Sequence, residues 1–572
     1  MARPEPTLLT DALAEAPGGR TLLACAALAR LWTLRELWAT RLYRHLLSRP
    51  APSGLAAIPR DLRPPDAEAA RSTLAGRHHL AGAGFEIGPG GDPWDRPSPS
   101  RPFAVALHRF QWLPGLIALG DEGAREGLRL ALAWDDLFGD TIIAFPWSSE
   151  VLERRVFNLA CAAKKLCAVA SDAETERFLT SLSIQARQLL ADPRSGRPAE
   201  GAAAAAVAGC ALAGPAGERL LKRALPKLSA CLPQAVLADG GMRTRSPEAG
   251  LELLLDLQTL DDALLQRGRE APAEMARAID RLAGAVRFFT LGDGRLGAFQ
   301  GGESSPRRLI GAALAAETGE AKPFGYAPHS GYHRLQGRAL QVLVDAAAPA
   351  RGSWSLSACA QPAAFELSAG KDKLIVNGAW SPEALGPHAL RLAAAGSTAS
   401  LGDGSAGRPL SGFAAEALGV RLVGGAHRFE ARRNESEAGV WLEISHDGWV
   451  PELGLIHTRR LFLDAKTDEL RGEDAFNPGD GPRSGRMTPY AIRFHLHPEV
   501  KASLARDKRS ALLQGPSDHG WWLRNDASEV TLEPSVHFEN GEPRRTTQLV
   551  LRGHIPPGEG ARARWKLTPV ES

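Results

Sequence analysis

The sequence has few cysteines, almost balanced charge and no long apolar run, and each scarcity excludes a class of protein. Six cysteines among 572 residues form no CxxC pair, which argues against a zinc cluster of cysteines and against a disulfide framework. The 68 basic and 65 acidic residues leave a net charge of +3, so the overall field gives no reason to expect nucleic-acid binding. The best apolar run, from Thr21 to Trp32, is interrupted by Arg30 and is shorter than the roughly 20 residues that span a bilayer. We therefore expect a chain without a membrane span.

The N-terminal region gives a second expectation. Its first residues lack the basic start followed directly by an apolar stretch that is typical of a secretory signal. The helical pattern from Thr21 to Leu47 predicts an amphipathic helix that packs on the rest of the chain rather than a membrane anchor.

Two large domains are expected, because 572 residues exceed the size of one ordinary hydrophobic core. From about 104 to 289, apolar residues recur at intervals of three and four with Gly or Pro between the segments, which predicts a ring or solenoid of helical hairpins. After about 330, short alternating segments are separated by Gly, Asp and Pro, which predicts a large antiparallel β-sandwich. The predicted boundaries are 1–320 for the helical domain and 321–572 for the sandwich.

The segment Phe324–Leu335 lies where the helical pattern gives way to strands. It contains two of the four tyrosines, Tyr326 and Tyr332, together with His329 and His333. A junction between domains is a usual place for a cleft, so these rings are candidates for chemistry. The alternative is that they cap and hydrogen-bond the first strand of the sheet.

Several motifs, taken in order, carry a resemblance to a known family. A helical half precedes His329-Ser-Gly-Tyr332, and a strand-rich half with His495-Leu-His-Pro498 follows it. In this order the chain resembles the heparinase II/III-like polysaccharide lyase family, in a bacterial branch with altered catalytic motifs. The other pieces of the resemblance are Leu107–Leu113, Ala238–Pro247, Arg287–Gly294, Phe365–Gly370, Ser445–Trp449, His457–Leu461 and Gly472–Asp474.

The resemblance implies a fold and a reaction. The fold would be an N-terminal incomplete α/α toroid followed by a C-terminal antiparallel β-sandwich. The reaction would be β-elimination at a uronic acid of an acidic polysaccharide, without a cofactor. A cation or polar group neutralises the sugar carboxylate, while a Tyr or His moves the proton. The resemblance implies localisation in the cell envelope or periplasm. If the absence of a signal peptide is decisive, the expected localisation is instead the cytoplasm.

Candidate roles follow from the resemblance and the residue types. Tyr332 is the candidate proton-transfer residue, assisted by His329 and His446. Arg243 and Arg245, in one turn, could hold a carboxylate through guanidinium hydrogen bonds, or they could form a solvated helix start.

Further candidates for substrate binding lie in the junction segment and the sandwich. Arg334 is in the junction segment, and Trp449 could stack on a pyranose, although tryptophans in such a chain are more often packing residues. Alternation along a strand places His495 and His497 on one face, where they line either a cleft or the core.

Departures from the family pattern weaken the catalytic hypothesis. Met242 stands where relatives have histidine, Ala249 where they have tyrosine, and Cys359 at a usual catalytic-histidine position. Neither a thioether nor an ordinary thiol replaces imidazole as an acid or base near neutral pH. Cys359 and Asn377 also replace expected ligands of a metal found in some members, so we predict no bound metal.

Two other functions remain open from the sequence. One is a non-catalytic carbohydrate-binding or envelope-assembly protein on the same fold. The other is a glycoside hydrolase, which would need two carboxylates facing each other across a cleft. Nothing in the sequence pairs the available carboxylates, which are Asp135, Asp136, Asp239 and Glu248.

Overall fold

The computed structural model describes residues 19–140, 142, 144–193, 196–315, 323–382, 388–402, 404–482 and 485–570. Helices fill the first half and strands fill the second, as predicted. The last helix before the change ends at Leu314 and the first strand of the large sheets begins at Tyr326. The predicted boundary at 320 and 321 lies outside the described residues.

The helices of the described residues are numbered here in chain order. They are α1 (Gly19–Trp38), α2 (Arg41–Ser48), α3 (Ala67–Leu74), α4 (Arg101–His108), α5 (Leu113–Ala118), α6 (Asp121–Phe138), α7 (Ser149–Val169), α8 (Asp172–Ala191), α9 (Pro198–Ala211), α10 (Gly214–Ala235), α11 (Pro247–Gln266), α12 (Ala273–Phe289), α13 (Arg307–Leu314), α14 (Gly412–Leu418) and α15 (Val450–Leu453).

Local sequence explains where these helices begin and how they pack. Helix α8 starts with a capping box, in which the Ser171 hydroxyl accepts from the Glu174 amide while the Glu174 carboxylate accepts from the Ser171 amide. Helix α9 is rich in alanine and almost entirely buried, because small side chains let it lie among α7, α8, α10 and α11. It forms the centre of the helical half.

A proline-containing strap, residues 50–65, joins α1 and α2 to the helical half. The Ala56 amide donates to the carbonyl of Ala211 at the end of α9. Further along, the Arg63 guanidinium donates to the carboxylates of Glu252 and Asp256 on α11, at 2.7 and 2.8 Å. The strap is therefore fixed to the inner helices along much of its length.

The strands are numbered in the same way. They are β1 (Arg77–Leu80), β2 (Ala83–Glu86), β3 (Tyr326–Ala327), β4 (Tyr332–Gln336), β5 (Leu340–Asp345), β6 (Phe365–Ala369), β7 (Asp372–Val376), β8 (Ala399–Leu401), β9 (Arg408–Pro409), β10 (Leu422–Val423), β11 (Phe429–Ser436), β12 (Gly439–Trp449), β13 (Leu455–Asp464), β14 (Leu470–Pro478), β15 (Thr488–Leu496), β16 (Lys501–Leu504), β17 (Ser510–Gln514), β18 (Gly520–Asn525), β19 (Glu529–Glu539), β20 (Glu542–Ile555) and β21 (Ala561–Pro569).

Two large antiparallel sheets form the sandwich of the second half. One runs in the order β11-β12-β13-β14-β21-β18-β17-β16. The other runs β19-β20-β15-β7-β6-β5-β4-β3, with β8 also paired to β15. Inward-facing residues such as Leu442, Phe494 and Leu567 are buried in the core between the sheets, as alternation along each strand requires.

The two halves are joined by buried polar contacts. The Lys373 ammonium, on β7, donates to the Leu296 carbonyl and the Ser304 hydroxyl, at 3.1 and 2.6 Å. It also pairs with Glu366 of the neighbouring strand at 2.9 Å. The Asn377 amide donates to the Ala298 carbonyl at 3.0 Å. Because these groups are buried where water is excluded, their hydrogen-bonding capacity is met by partners across the junction of the two halves.

Candidate functional site

Tyr332 lies at the junction of the two halves but is enclosed there. Its side chain is 0 % exposed, and its hydroxyl donates to the Arg245 carbonyl at 2.7 Å. Burial, reinforced by the negative charge of Asp345, holds the pKa of Tyr332 well above its ordinary value. In this arrangement the phenol is closed off from solvent, and a role in proton transfer would require the junction to open.

Arg245 uses its guanidinium to hold the two halves together. It donates to the Ser330 carbonyl at 2.8 Å and to the Ala347 carbonyl at 3.0 Å, and it pairs with the Asp345 carboxylate at 2.5 Å. The guanidinium carbon also lies 4.7 Å from the centre of the Tyr332 ring. All these partners belong to the protein, so the group proposed to clamp a sugar carboxylate is already occupied.

His329 and Arg243 are the candidates that remain exposed. The His329 amide donates to the Asp239 carboxylate at 2.7 Å, as does the Ser330 amide. The Arg243 guanidinium donates to the Gln234 carbonyl at 2.6 Å and lies 5.8 Å from the Trp354 ring centre. The sequence did not single out Asp239 as a clamp on the His-Ser segment, although its Asp-Gly-Gly context is a turn signal.

His446 belongs to a buried chain of charged and polar groups inside the sandwich. Its Nε2 lies 2.9 Å from Nδ1 of His457, whose Nε2 lies 2.8 Å from the Asp474 carboxylate. Arg459 pairs with the same carboxylate at 2.7 Å, and the Trp565 indole donates to it at 3.0 Å. Burial lowers the pKa of both histidines. This chain is satisfied internally and is not brought together with Tyr332 or His329.

The carboxylate of Asp474 stays ionised in this chain. Burial alone would raise its pKa, but the positive charge of Arg459 and the hydrogen bond from His457 lower it on balance. Within the described residues, no group of three or more His, Cys, Asp or Glu side chains is arranged to hold a metal ion.

The remaining three candidates for substrate binding are also enclosed. Arg334 donates to the carbonyls of Phe288 and Thr290 at 2.7 and 2.8 Å. Trp449 is buried in the sandwich core, so its ring offers no platform to a sugar. His495 lies between the Ser535 hydroxyl at 2.7 Å and the Ala394 carbonyl at 3.0 Å, which is the structural alternative stated for it above.

The three departures from the family pattern lie in packed surroundings. Met242 is buried in the core of the helical half, and Ala249 packs against the same core. Cys359 is buried, and burial raises the pKa of its thiol to about 11. None of the three offers a group that could exchange a proton near neutral pH.

Sequence analysis did not identify the surface of α1 and α2 as a candidate functional site. Large apolar side chains point into solvent there, including Leu22, Trp32 and Leu42, which are 67 %, 65 % and 69 % exposed. Leu37 and Leu46 are exposed on the same two helices. Between residues 19 and 49 the sequence has six arginines and one glutamate. The predicted packing of these helices on the rest of the chain is partial. Trp38 and Leu47 are buried and α1 contacts α14, whereas the side chains named above are not covered.

No helix of the described residues is long and apolar enough to cross a membrane. We call the exposed apolar and basic side chains of α1 and α2 the N-terminal face.

Comparison with known proteins identifies the fold. Residues 319–566 match the family described as heparinase II/III-like, C-terminal. The chain is 51 % identical to FtsZ-localized protein C of Caulobacter vibrioides over 579 residues, covering all of both chains. Among solved structures, heparinase III aligns with a TM-score of 0.68 at 15 % identity, over 99 % of this chain and 92 % of that one. A heparan sulfate lyase mutant from Pedobacter heparinus aligns with a TM-score of 0.56 at 15 % identity, over 98 % and 92 %.

Proposed function

Because this chain belongs to the heparinase II/III-like family yet encloses the side chains expected to act on a sugar, we propose that it is a non-catalytic member. Its role would be that of a peripheral binding protein, attached through the N-terminal face to an anionic lipid surface where FtsZ assembles. The observation that carries the first part is the enclosed Tyr332, whose hydroxyl is held by a main-chain carbonyl.

The family implies β-elimination as a competing function, and one assay separates the two. Acidic polysaccharides would be incubated with the protein, and the ultraviolet absorbance of an unsaturated uronate would be followed. Each missing acid or base removes a rate contribution on the order of 10²- to 10⁴-fold, so we expect no signal above the buffer control. Turnover that Tyr332→Phe abolishes would restore the lyase assignment.

The N-terminal face supports the lipid part of the proposal. Exposed leucines and a tryptophan, together with several arginines in the same two helices, match the composition of helices that lie in a membrane interface. Each basic side chain near an anionic surface adds about 1 kcal/mol of attraction, although Arg44 is partly neutralised by its pairing with Asp140. The sequence excess of arginine over glutamate across residues 19–49 therefore favours an anionic over a neutral bilayer.

Vesicle sedimentation tests this part directly. The protein should sediment with vesicles containing anionic lipid and much less with neutral vesicles or at high salt. Trp32→Glu and Leu42→Glu should release it. Leu265→Glu is a matched control, because Leu265 is 64 % exposed but lies at the end of α11. Equal binding by the control and both test variants would contradict the assignment.

The association with FtsZ rests on the name of the relative that is 51 % identical over the whole chain. We expect the protein to sediment with FtsZ polymers and to recruit them to anionic vesicles. Failure of recruitment by a protein that still binds vesicles would remove FtsZ from the proposal and leave the lipid part intact.

A further inference from the structure

The outer face of the eight-stranded sheet carries a second candidate site, remote in sequence from the junction residues. A cavity of about 460 Å³ opens there over β12, β13, β14, β21 and β18. That volume is within the range of ligand sites in proteins. Trp441, Phe462 and the cations Arg471, Lys566 and Arg524 are among its lining residues.

Strand register places these five side chains in one row across the sheet. Trp441 pairs with Phe462, Phe462 with Arg471, Arg471 with Lys566, and Lys566 with Arg524. Neighbouring strands lie about 4.8 Å apart, so the row spans roughly 19 Å. One end of the row is aromatic and the other is cationic. We call these five side chains the aromatic-cationic row.

The cations of this row outnumber their acidic partners. Arg471 and Lys566 share a single carboxylate, that of Glu469, at 2.5 and 3.7 Å. The Arg524 guanidinium donates to the Thr568 hydroxyl at 3.1 Å, and no ion pair joins it to an acid of the described residues. The row therefore has an excess of positive charge that a ligand could match.

The adjacent row, by contrast, is neutralised within the protein. Arg460 lies between the carboxylates of Glu443 and Glu473, at 2.6 Å from each. Arg564 pairs with Glu473 at 2.9 Å, and its amide donates to the Asp526 carboxylate. Glu473, which lines the cavity, is thus paired with two cations, whereas Asp526 accepts from an amide and keeps its negative charge. Three cations of the aromatic-cationic row against Glu469 and Asp526 still leave an excess of positive charge.

The aromatic rings are arranged for an apolar side chain rather than for a sugar. The Arg471 guanidinium carbon lies 5.8 Å from the Phe462 ring centre, and that of Arg524 lies 5.7 Å from the ring centre of Trp522, on the same strand. A pyranose needs a free aromatic face on which to stack, and of the two rings in the row the Arg471 guanidinium covers one face of Phe462. The space beside Trp441 and Phe462 instead suits a branched or aromatic side chain.

We propose that the aromatic-cationic row binds an acidic peptide segment of a partner protein, with one apolar side chain anchored between Trp441 and Phe462 and carboxylates over the three cations. This inference rests on one part of the proposed function, the non-catalytic binding role, and names the surface and the chemistry of the partner. It requires neither lipid binding nor FtsZ.

A fluorescent synthetic peptide rich in Asp, Glu, Leu and Phe is a suitable probe for the full-length protein. We expect saturable binding in anisotropy that weakens as salt is added. Arg524→Glu and Trp441→Ala should each weaken it by roughly tenfold or more, since buried aromatic anchors and charge matching dominate such sites. Arg562→Glu is the matched control, because Arg562 is exposed on β21 but does not line the cavity.

The competing outcomes are distinct. Absence of binding by the wild-type protein, or equal binding by all three variants when circular dichroism shows them folded, would overturn the inference. Binding of a heparan sulfate oligosaccharide in place of the peptide, with loss in Trp441→Ala, would overturn it in favour of a glycan site. If a separate peptide partner uses the row, the same variants should sediment with vesicles and with FtsZ as the wild-type protein does. A failure of peptide binding would therefore leave the proposed function unaffected.

Discussion

Replacement of Arg245 should reveal how strongly the two halves are held together. Its guanidinium pairs with Asp345 and donates to main-chain carbonyls of the sandwich half. In Arg245→Met, the Asp345 carboxylate would stay buried with the Gln300 amide at 2.7 Å as its main remaining partner. Removing one member of a buried ion pair costs about 3–5 kcal/mol. We expect a loss of that size in the free energy of unfolding, measured by urea denaturation followed by circular dichroism.

Two comparisons make this test specific. Arg243→Met, two residues earlier and exposed, should change the unfolding free energy by no more than about 0.5 kcal/mol. The double variant Arg245→Met/Asp345→Asn should recover much of the loss, because it no longer leaves a buried charge without its partner. A loss below about 1 kcal/mol in Arg245→Met, or no recovery in the double variant, would refute the reasoning.

Two further predictions concern buried titratable groups. Burial lowers the pKa of His495 to about 4 in the folded protein, whereas the pKa in the unfolded chain is near 6.5. Between these two values the unfolded chain binds more protons than the folded protein does. The free energy of unfolding should therefore fall by up to about 1.4 kcal/mol per pH unit as the pH drops from 6.5 towards 4. His495→Gln should flatten this slope in denaturation curves, and an unchanged slope would count against it. Burial raises the pKa of the Cys359 thiol to about 11, so a thiol reagent at pH 8 should label Cys359 only after denaturation. Because Cys25, Cys161, Cys167 and Cys231 are at least partly exposed, the labelled position is located by mass spectrometry of peptides, and rapid labelling of Cys359 itself in the native protein would contradict the prediction.

The sequence was sufficient to predict the architecture because both halves have clear periodicity. Spacings of three and four in the first half and alternation in the second produce buried faces such as Met275, Ala278, Leu282 and Val286 on α12, and Val440, Leu442 and Ile444 on β12.

The candidate site was harder to predict, since its geometry depends on contacts between residues far apart in sequence. Tyr332 is closed off by the carbonyl of Arg245, and the side chain of that arginine is taken by Asp345, 100 residues away. Residue type alone cannot distinguish such a structural pairing from a substrate clamp. His495 and His497 are both buried, and His495 is satisfied there by Ser535 and Ala394.

The N-terminal face escaped prediction for a different reason. Helix α1 has Ala, Leu and Trp around much of its circumference, so the sequence does not show which side will be covered by the rest of the protein. Only the packing of Trp38 and Leu47 against the helical half decides which leucines remain in solvent.

The strap of residues 50–65 gives the N-terminal face a fixed orientation. Five prolines restrict its backbone, and Arg63 anchors its far end to α11. A glycine- and serine-rich tether would let the body swing through many angles above a bilayer, whereas this strap holds α1 and α2 in one direction relative to the helical half. Adsorption through the N-terminal face would therefore set the tilt and height of the whole body, and with them the side of the sandwich that is presented to other molecules.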